Sequence, residues 1–279
     1  MKAWCSAVVL FLSLSASAQY YYKDIVGLKE STSLIEGYRQ NKVQSVTLKT
    51  YTVNNTPIEN LQVQQIFSPA TKTLLTVTKT DYQPASYLKT VFDEAGKVVR
   101  ITDSTAEHVN TVTYQYNSQG QISNITTQVG DQLAALQTDE HIWQYNSQNQ
   151  ISKMLRIKNG RDTSVVMFKL DEKGNVIEEQ ETRRFIKEEP FQYYYDAKDR
   201  LTDIVRYNKK ASRLMPQQMF EYSIRNHVIQ RTTIPENSSD YLIWRYRFDS
   251  NGLKTREEIY NKQKELTGKV EYLYTFNNQ

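Results

Sequence analysis

Cysteine is almost missing from this chain. The single one, Cys5, stands among the first residues, so no disulfide framework and no thiolate metal site can form within one molecule. Glycine and proline are scarce, at 9 and 6 in 279 residues, which excludes collagen-like and low-complexity segments. The three histidines, His108, His141 and His227, show no zinc-like spacing. No metal site is expected, and all three read as ordinary strand or loop residues. Lys and Arg (35) nearly balance Asp and Glu (31), and a surplus of +4 is too small for a nucleic-acid-binding protein. Nucleophile-elbow, phosphate-loop and dinucleotide patterns are absent. Glu188 and Glu189 read as a solvated strand end before Pro190 rather than a catalytic pair. The expectation is no catalytic residue, no cofactor and no enzymatic activity, although a site can be grafted on any fold.

Long apolar runs are missing too, apart from "AVVLFLSL" over Ala7–Leu14. With Lys2 before it and the small residues Ala16–Ala18 after it, this run reads as a signal peptide over residues 1–18, cleaved before Gln19. It is too short to span a bilayer, and no second such run follows. Cys5 lies upstream of the cleavage point rather than at it, the wrong place for a lipid anchor. The mature chain is therefore expected to be soluble after export and free of cysteine.

Tyrosine is plentiful, at 20 residues, and aromatic residues at this density suit half-buried pleated surfaces. They are also periodic. "YQYNSQGQI" at Tyr114–Ile122 returns as "WQYNSQNQI" at Trp143–Ile151, and related copies open at Asp93, Asn117, Asn146, Asp171, Asp196, Ser223, Asp249 and Asn277. One and three residues before the opener stand pairs such as Tyr116 and Tyr114, Tyr145 and Trp143, Tyr195 and Tyr193. Residues two apart in a strand share a face, so these form an aromatic column, better explained as core than as a ligand site. Three residues after the opener come Gly96, Gly120, Asn149, Gly174, Asp199, Asn226 and Gly252, types that tolerate the positive φ of a tight turn. Each copy thus specifies a hairpin. Apolar residues recur five after the opener (Val98, Ile122, Ile151, Val176, Leu201, Val228) and eight after it (Ile101, Ile125, Met154, Ile204), but Glu179 and Arg231 break the second set. An odd separation requires either a bulge or two partly covered faces.

"YYYDAKDRLTDIVRY", Tyr193–Tyr207, resembles the YD repeat of the RHS-repeat superfamily, in which Tyr, any residue and Tyr-Asp precede a turn glycine and a Leu or Ile. The resemblance covers roughly Tyr87 to Gln279. Asn149, Asp199 and Asn226 replace the family's glycine, and the long array and toxin segment of large RHS proteins have no counterpart. In general look the chain is similar to an uncharacterised family of exported Bacteroidota proteins. That likeness implies a protein partner, in an outer-membrane secretion or assembly complex.

Upstream of the repeats, "STSLIEGYRQ" has Ser33 three residues before Glu36, a capping-box spacing that predicts a short helix. Three strand-like segments follow it. The expected organisation is a signal peptide (1–18), an N-terminal cap continuous with the sheet (19–80) and YD-like hairpins (81–279). The expected fold is all-β, an antiparallel hairpin-repeat meander forming a strongly curved or wrapped single sheet with a short N-terminal helix. An outer-membrane barrel is the competing architecture, opposed by "IEEQETRRFIKEE" and "KTREEIYNKQKE", whose charges fall on both strand faces.

Function is expected in binding or scaffolding. The strand over Val270–Phe276 starts another copy without a returning partner, so it must close onto the sheet or remain an edge. As an edge it would offer Val270, Tyr272, Tyr274 and Phe276 to a partner strand. Aromatics off the column, Tyr20, Tyr21, Tyr22, Tyr241 and Trp244, are the candidates for exposed contacts, and through them a glycan or other polymer is the alternative ligand.

Overall fold

The computed structural model describes residues 20–131, 136–235 and 238–277; the expected signal peptide and Cys5 lie outside the described residues. Among the described residues one helix, α1 (Lys23–Gln40), precedes nineteen strands. They are β1 (Val43–Tyr51), β2 (Leu61–Ser68), β3 (Thr73–Thr80), β4 (Ser86–Phe92), β5 (Val98–Ser104), β6 (His108–Tyr116), β7 (Ile122–Asp131), β8 (Gln137–Tyr145), β9 (Ile151–Lys158) and β10 (Asp162–Leu170). Then come β11 (Val176–Arg183), β12 (Ile186–Lys187), β13 (Phe191–Tyr195), β14 (Leu201–Asn208), β15 (Arg213–Tyr222), β16 (Val228–Thr233), β17 (Leu242–Phe248), β18 (Lys254–Tyr260) and β19 (Leu266–Phe276).

Turn chemistry builds the hairpins. In the copy opened by Asn117, its Oδ1 accepts from the N–H of Gln119 (3.1 Å) and of Gln121 (2.8 Å), while Gly120 N–H donates to the Asn117 carbonyl. The openers Asn146, Asp171, Asp196 and Asp249 repeat both side-chain bonds. Every third residue after an opener has φ between 57° and 86°, including Asn149, Asp199 and Asn226. The register then slips by one residue just before each opener, as at Gln115/Tyr116, where Tyr116 faces Ile122 and Gln115 faces Asn124. That bulge answers the odd spacing. It returns positions five and eight to one face, and Ile122 and Ile125 are both buried.

A tyrosine ladder stitches copy to copy. The hydroxyl just before the turn donates to the carbonyl five residues after the preceding opener: Tyr116 to Val98, Tyr145 to Ile122, Tyr195 to Val176 and Tyr222 to Leu201, at 2.7–2.8 Å. Burial pushes the hydroxyls of Tyr116, Tyr145 and Tyr222 up to about 12. They stay neutral donors at any ordinary pH.

The sheet closes. Each strand pairs with the next, β11 with β13 as well as with the two-residue β12, and β19 pairs with β1 from Val43↔Phe276 to Tyr51↔Lys269. Leaving out β12, eighteen strands ring the barrel. The β19 edge expected as a docking strand is therefore filled: Val270, Tyr272, Tyr274 and Phe276 face Thr50, Leu48, Val46 and Val43. The segment expected as an N-terminal cap continuous with the sheet supplies β1–β3 of the ring.

The two ends of the barrel differ. All the repeated turns lie on one rim, which we call the turn rim, together with the point where β19 meets β1. The less regular β1–β2, β3–β4, β5–β6, β7–β8, β9–β10, β11–β13, β14–β15, β16–β17 and β18–β19 connections form the opposite, loop rim. On the outer wall, charges lie within the strands: Arg247, Arg256, Glu271 and Lys49 face one another across β17, β18, β19 and β1, and Arg245 faces Glu258 near the middle of β17 and β18. Arg256 and Glu271 are 3.2 Å apart, and Lys169 and Glu178 are 2.6 Å apart across β10 and β11.

Candidate functional site: the occupied barrel lumen

Rings of this strand number enclose a lumen wide enough for an aqueous channel. Here the N-terminal segment occupies it. α1 and the residues before it touch walls on all sides: Tyr21 and Tyr22 meet β11, Asp24 meets β8, Tyr38 meets β2 and packs on Tyr274 of β19, and Arg39 reaches the Glu94 carbonyl in a turn. Only a position inside the ring permits all these contacts. An 18-residue helix is about 27 Å long. It leaves at the turn rim, where Asn41 and Lys42 (φ 51°) connect it to β1.

The helix is longer than its sequence signals. Ser33, expected at the N-cap, lies within α1, and the actual N-cap, Tyr22, has no capping side-chain bond of its own. A wall carboxylate takes over at that end. Glu179 accepts from Tyr21 N–H (2.7 Å), Tyr22 N–H (2.8 Å) and the Tyr193 hydroxyl (2.6 Å), with 2% of its surface exposed. A negative group beside a helix N-terminus is also favoured by the helix dipole. Burial nevertheless dominates and pushes the Glu179 carboxyl up to about 7, against the three donated hydrogen bonds.

A second set of contacts fixes the same end. Asp24 Oδ2 lies 2.6 Å from His141 Nδ1, with both side chains 12% exposed. His141 Nε2 is 3.7 Å from Asp139, which holds Arg156 Nη2 at 2.6 Å, and Arg156 also donates to the Tyr21 hydroxyl at 3.2 Å. The Asp139 hydrogen bonds are the largest cause raising the Arg156 pKa above its ordinary value. Lys23 is lowered by burial. Tyr22 packs edge-on against Tyr193 with ring centres 5.3 Å apart, and Tyr21, Tyr22, Trp143, Met154, Phe168, Phe191, Tyr193 and Ile204 belong to one apolar cluster. At the other end Ile35 and Tyr38 join Val46, Val63, Phe67, Phe92 and Leu253, and Tyr38 hydroxyl donates to Gln65 at 2.7 Å.

Glu30, midway along α1, keeps solvent-accessible surface although wall residues surround it, as a wet lumen allows. Its carboxyl is raised by burial and drawn back by Arg231 and Lys254. Glu257 adds a buried carboxylate that accepts from Tyr272 and Lys254. Glu179, Arg231 and Glu257 occupy the same place, eight residues after their openers, where other copies carry Ile or Met. The signal that could have found the first two was their break in the apolar set. Nothing in the sequence marked Asp24, Asp139, His141 and Arg156 as a group.

Two cavities flank the plug. One of about 160 Å³ is lined by Tyr21, Arg156, Glu181, Arg183, Glu189 and Arg206, among others, and one of about 370 Å³ lies between Glu36, Gln40, Arg225, His227 and Asn251. Among the described residues no group of three or more His, Asp or Glu is placed to hold a metal ion.

The aromatics expected at the surface lie elsewhere. Tyr21 and Tyr22 are buried at 2% and 8% exposure and Tyr20 is half-buried, because the segment inserts into the lumen. Tyr20 packs on Phe191 with ring centres 5.9 Å apart. Trp244 shares the inward face of β17 with buried Tyr246 and faces Arg231 across β16. Tyr241 alone keeps a loop position, half-exposed, its hydroxyl 3.5 Å from the Lys262 carbonyl.

No protein-family model matches the chain, and no curated protein resembles it significantly. Among solved structures it is similar to a chain of the Photorhabdus luminescens Tc holotoxin pore, at 13% identity and a TM-score of 0.35 over 77% of this chain and 11% of that one. It is likewise similar to a chain of the TcdB2-TccC3-Cdc42 structure, at 13% identity and a TM-score of 0.35 over 80% and 12%. A porin-like protein from Bacteroides uniformis gives 12% identity and a TM-score of 0.43 over 84% of this chain and 98% of that one. The chain thus spans about a tenth of the toxin chains and nearly all of the porin-like chain.

Proposed function

We propose that the chain is an exported, non-enzymatic binding or scaffold protein that meets its partners from the outside of a filled barrel. Its partner is a protein of an outer-membrane secretion or assembly complex, which it serves as a soluble accessory or plug-like subunit. The observation that carries this reading is the occupied lumen. A wide ring holding only water is a conduit or a chamber, whereas this one is spanned by α1 and anchored through Glu179, Asp24 and Tyr38. The charges within the outer wall, Arg245 near the middle of β17 among them, support a water-facing exterior, since Arg or Lys facing lipid at mid-bilayer costs about 2–4 kcal/mol each. Export rests on the leader-like residues 1–18, and the outer-membrane partner on the resemblance to exported Bacteroidota proteins.

Recovery of the tagged full chain from detergent-solubilised cell envelope tests the reading. A stoichiometric outer-membrane protein in the eluate is the expected result. Recovery of the chain alone, with retention on polysaccharide resin, contradicts it and favours the glycan-binding alternative.

A further inference from the structure

The loop rim carries a patch that the lumen does not use. Three neighbouring hairpins, β9–β10, β11–β13 and β14–β15, are laced together there: Asp162 pairs with Arg183, Glu188 with Arg206 at 3.8 Å, and Glu189 with Lys209 at 3.3 Å. Above this lacing stand exposed cations, Arg161, Arg184, Lys187, Lys210 and Arg213, none of them in an ion pair among the described residues. Between them project Phe185, 100% exposed, and Ile186, 67% exposed, with Leu214 at 44% on the next hairpin.

The tip is held out rather than left over. Arg183 pairs with Ile186, and the two residues between them, Arg184 (φ 47°) and Phe185 (φ 68°), are both left-handed. A turn of that kind favours Asn-Gly; a bulky residue there is strained. Backbone strain that displays an aromatic ring to solvent is a reason to look for a contact. β12 exists only as the second arm of this projection, pairing with β11 alone.

Apolar tips ringed by unneutralised cations match one surface chemically, the interface of an anionic bilayer, where rings enter at headgroup depth and cations meet phosphates. We propose that this arc docks the barrel, loop rim down, on anionic phospholipid, with Phe185 and Ile186 entering the interface and Arg184, Lys187, Lys210 and Arg213 on the headgroups. The far side of the same rim carries Glu59, Asp81 and Glu107, so acids stand opposite the basic arc.

Co-sedimentation of the purified full chain with vesicles tests this. Binding is expected to vesicles containing phosphatidylglycerol and not to pure phosphatidylcholine, and to fall as salt is raised. Phe185→Ser/Ile186→Ser and, separately, Lys210→Glu/Arg213→Glu are each expected to weaken it about tenfold or more with Tm unchanged. Equal binding to both vesicle types, no binding to either, or full binding by the Phe185→Ser/Ile186→Ser variant overturns the proposal. Soluble polyglutamate captured as strongly as vesicles, whatever stands at position 185, also overturns it and assigns the arc to an acidic protein.

Discussion

Replacing Glu179 by Gln should reshape the pH dependence of stability. In the fold the carboxyl titrates near 7, against 4.5 for the free group, and burial is the main cause. Below pH 4.5 both folded and unfolded chains carry the proton and the group contributes nothing. Between 4.5 and 7 the unfolded chain releases the proton while the folded one keeps it, so stability falls as pH rises, and above 7 it stays down. At about 1.4 kcal/mol per pH unit, the gap from 4.5 to about 7 amounts to roughly 3 kcal/mol. Gln is neutral at every pH, so Glu179→Gln removes this slope, although its NH2 group cannot accept the hydrogen bond that one carboxylate oxygen takes from Tyr21 N–H or Tyr22 N–H. The variant should therefore start lower by about 1–3 kcal/mol near pH 5, and relative to the wild-type protein it should gain roughly 3 kcal/mol from pH 5 to pH 8. For a chain of this length that is on the order of 6 °C in Tm. Thermal unfolding followed by circular dichroism at pH 5, 6, 7 and 8 reads it. Parallel curves, or a gap that moves in favour of Glu179 as pH rises, would refute both the buried environment and its sign.

Further outcomes bear on the repeat itself. Gly174, at φ 86°, occupies a place where other copies carry Asn or Asp, so Gly174→Asn should be nearly neutral, whereas Gly174→Val should cost about 1–2 kcal/mol in urea unfolding. In the tyrosine ladder, Tyr145→Phe removes the donor to the Ile122 carbonyl and should cost about 1 kcal/mol. Leu170, which like Phe92 and Phe248 holds a ladder position without a hydroxyl, should gain up to about 1 kcal/mol on substitution by Tyr, read by the same unfolding curves.

What was legible in the sequence was local. Openers such as Asn117, the left-handed third residue and the aromatic column each follow from residues a few places apart, and all three are realised. The spacing of five and eight demanded a bulge or two covered faces, and backbone pairing decided for the bulge. Non-local chemistry was not legible. α1 carries Gly27, Ser31, Thr32, Ser33 and Gly37, poor helix formers; it forms because walls enclose it and because Glu179, 158 residues from Tyr21, receives its first donors. A capping box at Ser33 was the best local substitute, and it was wrong. Closure likewise depends on β1 and β19, at opposite ends of the described chain. Glu179 and Arg231 were visible as breaks in a pattern, but what they faced was visible only in the fold.

Hydrogen exchange of the full chain, read by mass spectrometry, tests most directly the claim that this is a closed barrel filled by its own N-terminal segment. The account predicts that amides of Tyr21, Tyr22 and α1, and those of the β1–β19 seam, exchange as slowly as those of the central β6–β7 hairpin. Exchange over residues 20–40 at the rate of an unstructured peptide would contradict the occupied lumen, and fast exchange of β1 and β19 would contradict closure.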